Sequence, residues 1–224
     1  GGAKLRLLQT GLIALGLISP ASGGGAKEAG RDAVLRFART FLTDASVARL
    51  NDPVGTGYDA LDLMEIDVET TRPDQLEDGV WGQILLSEML DHSEKAIWLD
   101  WKFSVLTMIR NDEWDDQLGL LFSLYGVAPL TGEERDTVLR KAEAEHGMVP
   151  EVMMFPDLQP LAEARGYRLM VMENQSDGMG LFMLPVDQAD DWHLTQLGHV
   201  LIIDAAAGIV HDPRAGGERR LLTN

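Results

Sequence analysis

The strongest constraint on the fold lies in the last third of the chain, where short apolar runs alternate with turn-forming residues. The runs Tyr167 to Glu173 and Leu181 to Pro185 are separated by Asn174 to Gly178, a stretch of Asn, Gln, Ser, Asp and Gly. Asn, Asp, Ser and Gly are the residues that tight turns favour, so this pattern predicts a β-hairpin. A second pair of runs, His199 to Asp204 and Ile209 to His211, flanks small residues and predicts a second hairpin.

Upstream of these hairpins the spacing of apolar residues is mostly helical. The run Ala96 to Lys102 is the exception, since it is compact, apolar and bounded by charge, and it predicts a strand. The chain is therefore predicted to be α+β, with an antiparallel sheet built mainly from C-terminal hairpins and packed by several helices. Helices are predicted at 32–42, 73–92, 103–125 (one or two helices), 131–146, 157–165 and 188–197, and an acidic weak strand or extended connector at 51–71.

The first 25 residues form an apolar N-terminal segment that ends in a Gly-rich linker. Lys4 and Arg6 precede an uncharged run, Leu7 to Ile18, which is too short to span a bilayer. This order of zones is typical of a secretory signal, but it also fits a first helix that breaks at Pro20. Residues 26–224 are predicted to be a single α+β domain. We expect a cytoplasmic protein, with export as the alternative if residues 4–26 are a signal peptide.

Composition excludes several classes of function. The chain has 36 acidic residues against 19 Lys and Arg, a net charge of −17, and no cysteine. Without cysteine there are no disulfides, Cys-ligated zinc sites, iron–sulfur clusters or thiol catalysis. A surface this acidic repels phosphate backbones, so we expect no nucleic-acid partner and favour a basic protein partner.

A family resemblance rests on two short stretches. Ile97 to Lys102 followed by a helix, and Gly166 to Leu169 leading to Ser176-Asp177 and an apolar strand, resemble an uncharacterised bacterial domain of unknown function. That domain is similar in having an Asp-Trp-Lys step after a strand and an Asp in a late hairpin, over about residues 74–204. Where an aromatic residue is usual after the hairpin Asp, this chain has Gly178-Met179. The resemblance implies a fold and no chemistry.

The closing run from Val200 to His211 is also similar to the late sheet of Smi1/Knr4-type domains. That group includes toxin-neutralising immunity proteins, so this second resemblance implies a protein that binds another protein.

Three residues are candidates for catalysis. Asp100 and Lys102 are two apart, which in a strand places both side chains on one face. Asp177 from the late hairpin would complete a pocket with two carboxylates and an ammonium group. The alternative is a salt bridge at the end of a strand and an Asp that only forms a turn. The sequence contains no Gly-x-Ser-x-Gly motif and no phosphate-binding loop.

Histidine and tryptophan supply the remaining candidates. His193, His199 and His211 lie near aspartates and form a weak candidate set of metal ligands, but their spacing matches no ligand signature, so we expect no metal and no cofactor. The methionines of the second half fit either a binding groove or a soft core. Trp98, Trp101 and Trp114 are candidate anchors of an interface, with burial in the core as the alternative.

These observations favour a non-enzymatic, acidic binding or regulatory protein that engages another protein in the manner of an immunity protein. The alternative is a small hydrolase-type enzyme that uses Asp100, Lys102 and Asp177. The oligomeric state is left open.

Overall fold

The computed structural model describes residues 30–100, 115–146, 155–174, 176, 178–207, 209–211 and 219–221. The predicted N-terminal segment therefore lies outside the described residues. The α-helices are α1 (Gly30–Phe41), α2 (Asp44–Asn51), α3 (Pro53–Thr56), α4 (Asp59–Leu63), α5 (Trp81–Ser87), α6 (Leu120–Leu124), α7 (Gly132–His146), α8 (Phe155–Glu163) and α9 (Val186–Trp192). Helix α5 continues as a π-helical turn, Glu88–His92, and another π-helical turn, Asp115–Gly119, leads into α6. Short 3-10 turns lie at Pro73–Gln75, Asp78–Val80 and Ala205–Ala207.

The strands confirm the predicted α+β class. They are β1 (Ala96–Asp100), β2 (Tyr167–Glu173), β3 (Gly178–Pro185), β4 (Thr195–Leu197), β5 (Val200–Asp204), β6 (Ile209–His211) and β7 (Arg219–Leu221). Five of them form one sheet in the order β1-β3-β2-β5-β4, and β6 pairs with β7 separately. The predicted hairpin at 167–185 is present as the antiparallel pair β2 and β3, and β1 is antiparallel to the other side of β3.

The second predicted hairpin is wrong in its pairing. Strand β5 pairs with β4, which comes before it, while β6 pairs with β7. The residues between β5 and β6 form a 3-10 turn at Ala205–Ala207, and three alanines are not the residues that a tight hairpin turn demands. Strand β4 occupies the end of the stretch predicted as a helix over 188–197, so that helix is real but stops at Trp192.

The prediction of a weak strand in the acidic stretch is also wrong. Its start folds as helix α4, which ends in a Schellman motif: Ile66 N–H donates to Leu61 O over 3.0 Å and Glu65 N–H donates to Asp62 O over 3.0 Å. Glu65 takes the left-handed position of this motif, with φ of 57°, where glycine is usual and other residues cost about 1 kcal/mol. The alternation of apolar and acidic residues therefore does not reflect an extended backbone.

The contacts divide the described chain into two compact units. The first contains residues 30–94 and 194–202. Its core is formed by one face of α1, by α5 and by the β4–β5 hairpin. Its fully or nearly fully buried apolar residues include Val34, Phe37, Ala38, Leu50, Leu61, Trp81, Ile84, Leu85, Met89, Leu197 and Val200.

Close backbone approach decides the packing of this first unit. A Cβ atom at Gly82, in α5, would overlap Leu197 O and lie 2.7 Å from Val200 Cβ. A Cβ atom at Gly79 would lie 2.6 Å from His199 Cδ2, and His199 N–H donates to Gly79 O over 2.9 Å. Both positions therefore need glycine for space.

The second unit contains residues 95–193 and the chain from Ile203 onward. The methionines of β2 and β3 are buried in it, which confirms the soft-core interpretation for those described residues; they are Met170, Met172, Met179 and Met183. Met adapts its shape to irregular gaps between larger side chains. A binding groove built from these four methionines is therefore excluded.

Two side chains continue the hydrogen-bond ladder of the second unit where strands end. Tyr125 OH donates to Lys95 O over 2.7 Å and accepts from Met183 N–H at 3.2 Å, next to the first residue of β1. Gln159, in α8, donates to Leu169 O over 3.0 Å and accepts from Leu169 N–H at 2.6 Å. Each side chain satisfies backbone groups that no strand pairs at that position.

Among the described helices, none is both long enough and apolar enough to cross a membrane.

Candidate functional site

The structure does not describe the side chains of the three predicted catalytic residues. Asp100 ends β1, where its backbone pairs with Gly178, but its side chain lies outside the described part of the structure. Lys102 and Asp177 lie outside the described residues altogether. A pocket formed by these three side chains therefore stays a prediction.

Of the three tryptophan candidates, the structure describes Trp98, whereas Trp101 and Trp114 lie outside the described residues. Trp98 is on β1 and is 38% exposed. Its indole lies against the start of β3, because a Cβ atom at Gly178 would be 2.5 Å from Trp98 Cε2. Trp98 therefore lies on the surface of the sheet rather than in the core, and its role as an interface anchor stays a prediction.

The histidine candidates do not form a metal centre in the described part of the chain. His193 belongs to the second unit, where its Nδ1 accepts from Asp204 N–H at 2.9 Å, and His199 belongs to the first. His211 is in β6, and its side chain is outside the described set. No group of three His, Asp or Glu side chains arranged to hold a metal ion is found among the described residues.

His199 has a perturbed pKa. Burial of the imidazole lowers its pKa, and the nearby carboxylate of Glu77 partly opposes this by favouring the charged form. The ring lies over Gly79, whose missing side chain leaves the space that the imidazole fills. The neutral imidazole is therefore the form that this packing favours.

We expect His199 to make the protein less stable in mild acid. Because its folded pKa lies below the unfolded value, the unfolded chain takes up the proton first. The stability contributed by the neutral ring is complete above about pH 6.5 and decreases as the pH falls below it. Urea unfolding at pH 7.5 and pH 5.5 measures this loss, which should be smaller in His199→Gln. His92→Gln, at an exposed histidine, is the control; an unchanged pH dependence in His199→Gln would contradict the assignment.

The most deeply buried charge of the described chain is in the first unit and was not predicted. Glu88 is 0% exposed and accepts from Arg49 Nη2 at 2.6 Å, from Arg49 Nε at 3.0 Å and from Tyr58 OH at 2.6 Å. The carboxylate raises the pKa of Arg49 through these hydrogen bonds, and burial raises the pKa of Tyr58. His92 contacts the Tyr58 ring edge-on, with ring centroids 5.2 Å apart.

This Arg49–Glu88–Tyr58 cluster joins α2, the start of α4 and the π-helical turn after α5. π-helical turns are frequent at functional sites. Here, however, both oxygens of the Glu88 carboxylate already accept hydrogen bonds from the guanidinium and the phenol. The cluster therefore stabilises the packing of these three elements. The burial of Glu88 could have been inferred from the sequence, because it follows the apolar Ile84 by four residues and therefore lies on the same face of the helix.

A second network of charged side chains lies in the second unit. Arg168, on β2, forms an ion pair with Asp204 and also approaches Asp190 at 3.3 Å. Asp204 also accepts from Gln159 Nε2 at 2.9 Å and from Ala206 N–H at 2.8 Å. These residues are far apart along the chain, so no sequence spacing connects them. The network neutralises the one buried aspartate of the described chain.

Among the residues whose exposure the structure describes, acidic side chains are concentrated in residues 59–78, which we call the acidic segment. It contains one basic residue, Arg72, which forms an exposed ion pair with Asp74. Leu63 is 85% exposed within it. All eight of its carboxylate residues are exposed: Asp59, Asp62, Glu65, Asp67, Glu69, Asp74, Glu77 and Asp78.

No protein-family model, curated protein or solved structure matches this chain, so both family resemblances stay predictions from its sequence.

Proposed function

We propose that this chain is a non-enzymatic binding protein that engages a basic protein partner, as an immunity protein engages a toxin. The observation that carries the proposal is the acidic segment, where eight exposed carboxylates accompany a single arginine. Such a surface attracts a basic partner from a distance and speeds its association. The exposed Leu63 adds an apolar side chain within the same segment.

The surroundings of two of the three buried carboxylates among the described residues also support binding rather than catalysis. The buried carboxylates of Glu88 and Asp204 are each held by an arginine and by further hydrogen-bond donors. A carboxylate held in this way is a poor general base, because proton transfer would require breaking its ion pair.

The test compares two variants of equal net charge. The first removes charge from the acidic segment through Asp62→Asn, Glu65→Gln and Glu69→Gln. The second removes the same charge from exposed residues elsewhere through Asp91→Asn, Glu133→Gln and Asp136→Asn. The tagged wild-type protein first captures its partner from the native host at low salt. Calorimetry with the purified partner then measures the dissociation constant for each variant.

We expect the acidic-segment variant to bind about tenfold more weakly and the second variant to bind nearly as well as wild type. The captured partner should be basic, and wild-type binding should weaken with added salt. Equal weakening in both variants, or an acidic partner whose binding ignores salt, would refute the proposal.

A further inference from the structure

His193 is held by a hydrogen bond that only one form of its ring can accept. Asp204 N–H, at the end of β5, donates to His193 Nδ1 over 2.9 Å. Nδ1 must therefore carry its lone pair, and in the neutral ring the proton is on Nε2. The bond joins the residue that follows α9 to the last residue of β5.

The carboxylate of Asp204 does not take part in this bond. Its oxygens are occupied by Arg168, by Gln159 Nε2 at 2.9 Å and by Ala206 N–H at 2.8 Å. When His193 takes up a proton, Nδ1 becomes a donor that faces the backbone N–H donor of Asp204. The two donors cannot bond, so the Asp204 N–H loses its acceptor.

The charged groups around α9 are few. Helix α9 packs against β2 and β3, and β3 has no charged residue. Strand β2 has Arg168 near its start and Glu173 at its far end, and Glu163 of α8 lies 3.6 Å from Arg168. Helix α9 itself has three aspartates, Asp187, Asp190 and Asp191, of which Asp190 contacts Arg168. Arg168 is thus the cation that opposes these acids beside the end of β5.

We propose that His193 is a proton-sensitive latch, which holds the end of β5 when the ring is neutral and releases it when the ring is protonated. The state of the latch depends on whether His193 Nδ1 carries a lone pair or a proton, because only the lone pair can accept from the Asp204 N–H. The bond that opens is at the Asp204 backbone, directly before the 3-10 turn Ala205–Ala207, while the Asp204 carboxylate keeps its own partners. This device is independent of the proposed binding surface, which lies in the acidic segment.

The test follows the Asp204 amide in the full chain by NMR. Nitrogen-15 spectra identify which ring nitrogen of His193 is protonated at pH 8, and hydrogen exchange gives the protection factor of Asp204 N–H at pH 8 and pH 5. We expect Nδ1 to be unprotonated at pH 8. The Asp204 protection factor should fall about tenfold or more at pH 5, as the loss of one hydrogen bond implies. The amide of Leu169, held by Gln159, should keep its protection.

Two variants separate the latch from a merely structural role. In His193→Asn the side-chain oxygen replaces Nδ1 as an acceptor at every pH, so the protection of Asp204 should no longer depend on pH. In His193→Ala the protection should be low at both pH values. A protonated Nδ1 at pH 8, equal wild-type protection at pH 5 and pH 8, or an Asn variant that behaves like the Ala variant would each overturn the proposal.

Discussion

Replacing Arg49 with methionine is expected to lower the free energy of unfolding by about 3–5 kcal/mol, because it leaves the buried carboxylate of Glu88 without its cation. Glu88 is 0% exposed, whereas Arg49 is 31% exposed. After the substitution only the Tyr58 hydroxyl remains as a donor among the side chains that Glu88 contacts. Urea unfolding at pH 7 measures the loss.

The difference in exposure between Glu88 and Arg49 provides a control for this prediction. In Glu88→Gln, the unpaired Arg49 reaches water and Tyr58 keeps an oxygen to donate to, so the cost should be smaller than that of Arg49→Met. The double variant Arg49→Met/Glu88→Gln should be more stable than Arg49→Met alone. Arg72→Met, which removes the arginine of an exposed pair, should change stability by less than about 0.5 kcal/mol. A double variant as unstable as the sum of its parts would contradict the account.

Gly82→Ala is expected to lower the free energy of unfolding by about 3 kcal/mol, the upper end of the loss caused by one added methyl group in a packed core. The methyl group would overlap Leu197 O, which is a backbone atom, and lie 2.7 Å from Val200 Cβ. A backbone atom cannot rotate away, so α5 or the β4–β5 hairpin would have to shift. Thermal and urea unfolding both measure the effect.

The matched control is the same substitution at Gly132, the first residue of α7. A Cβ atom there meets nothing within 4 Å. Gly132→Ala should therefore leave stability unchanged or raise it slightly, since alanine has the higher helix propensity. Similar losses at both glycines would show that helix propensity, rather than space, governs Gly82.

The parts of the fold that the sequence predicts well are those held by local information. The β2–β3 hairpin was predictable because both strands are long and the residues between them are of types that turns favour. The start of α7 was predictable for the same reason, and Glu134 N–H donates to Thr131 Oγ1 over 3.2 Å. Strand β4 was not, because three residues are too few to show an alternating pattern. The residue before β4, Leu194, has a φ of 62°, a conformation that the residue type leucine does not predict.

The site is harder to predict than the fold because its contacts are non-local. Arg49 and Glu88 are 39 positions apart, and no spacing rule connects them. For the predicted catalytic residues a local spacing exists, but it is ambiguous. Asp100 and Lys102 share a face by strand geometry, and the same pattern is equally typical of an exposed ion pair. The acidic surface was predictable, because net charge needs no knowledge of contacts, whereas the concentration of exposed acids in residues 59–78 required the folded backbone.

Tyr125 and Gln159 have a consequence for the behaviour of this protein in concentrated solution. Unpaired N–H and C=O groups along a strand are where molecules recruit one another into extended sheets and aggregate. By occupying Lys95 O and Met183 N–H beyond the end of β1, Tyr125 withdraws those two positions from pairing with another strand, while Gln159 satisfies both backbone groups of the buried Leu169. The repulsion between copies that each carry a net charge of −17 also opposes association.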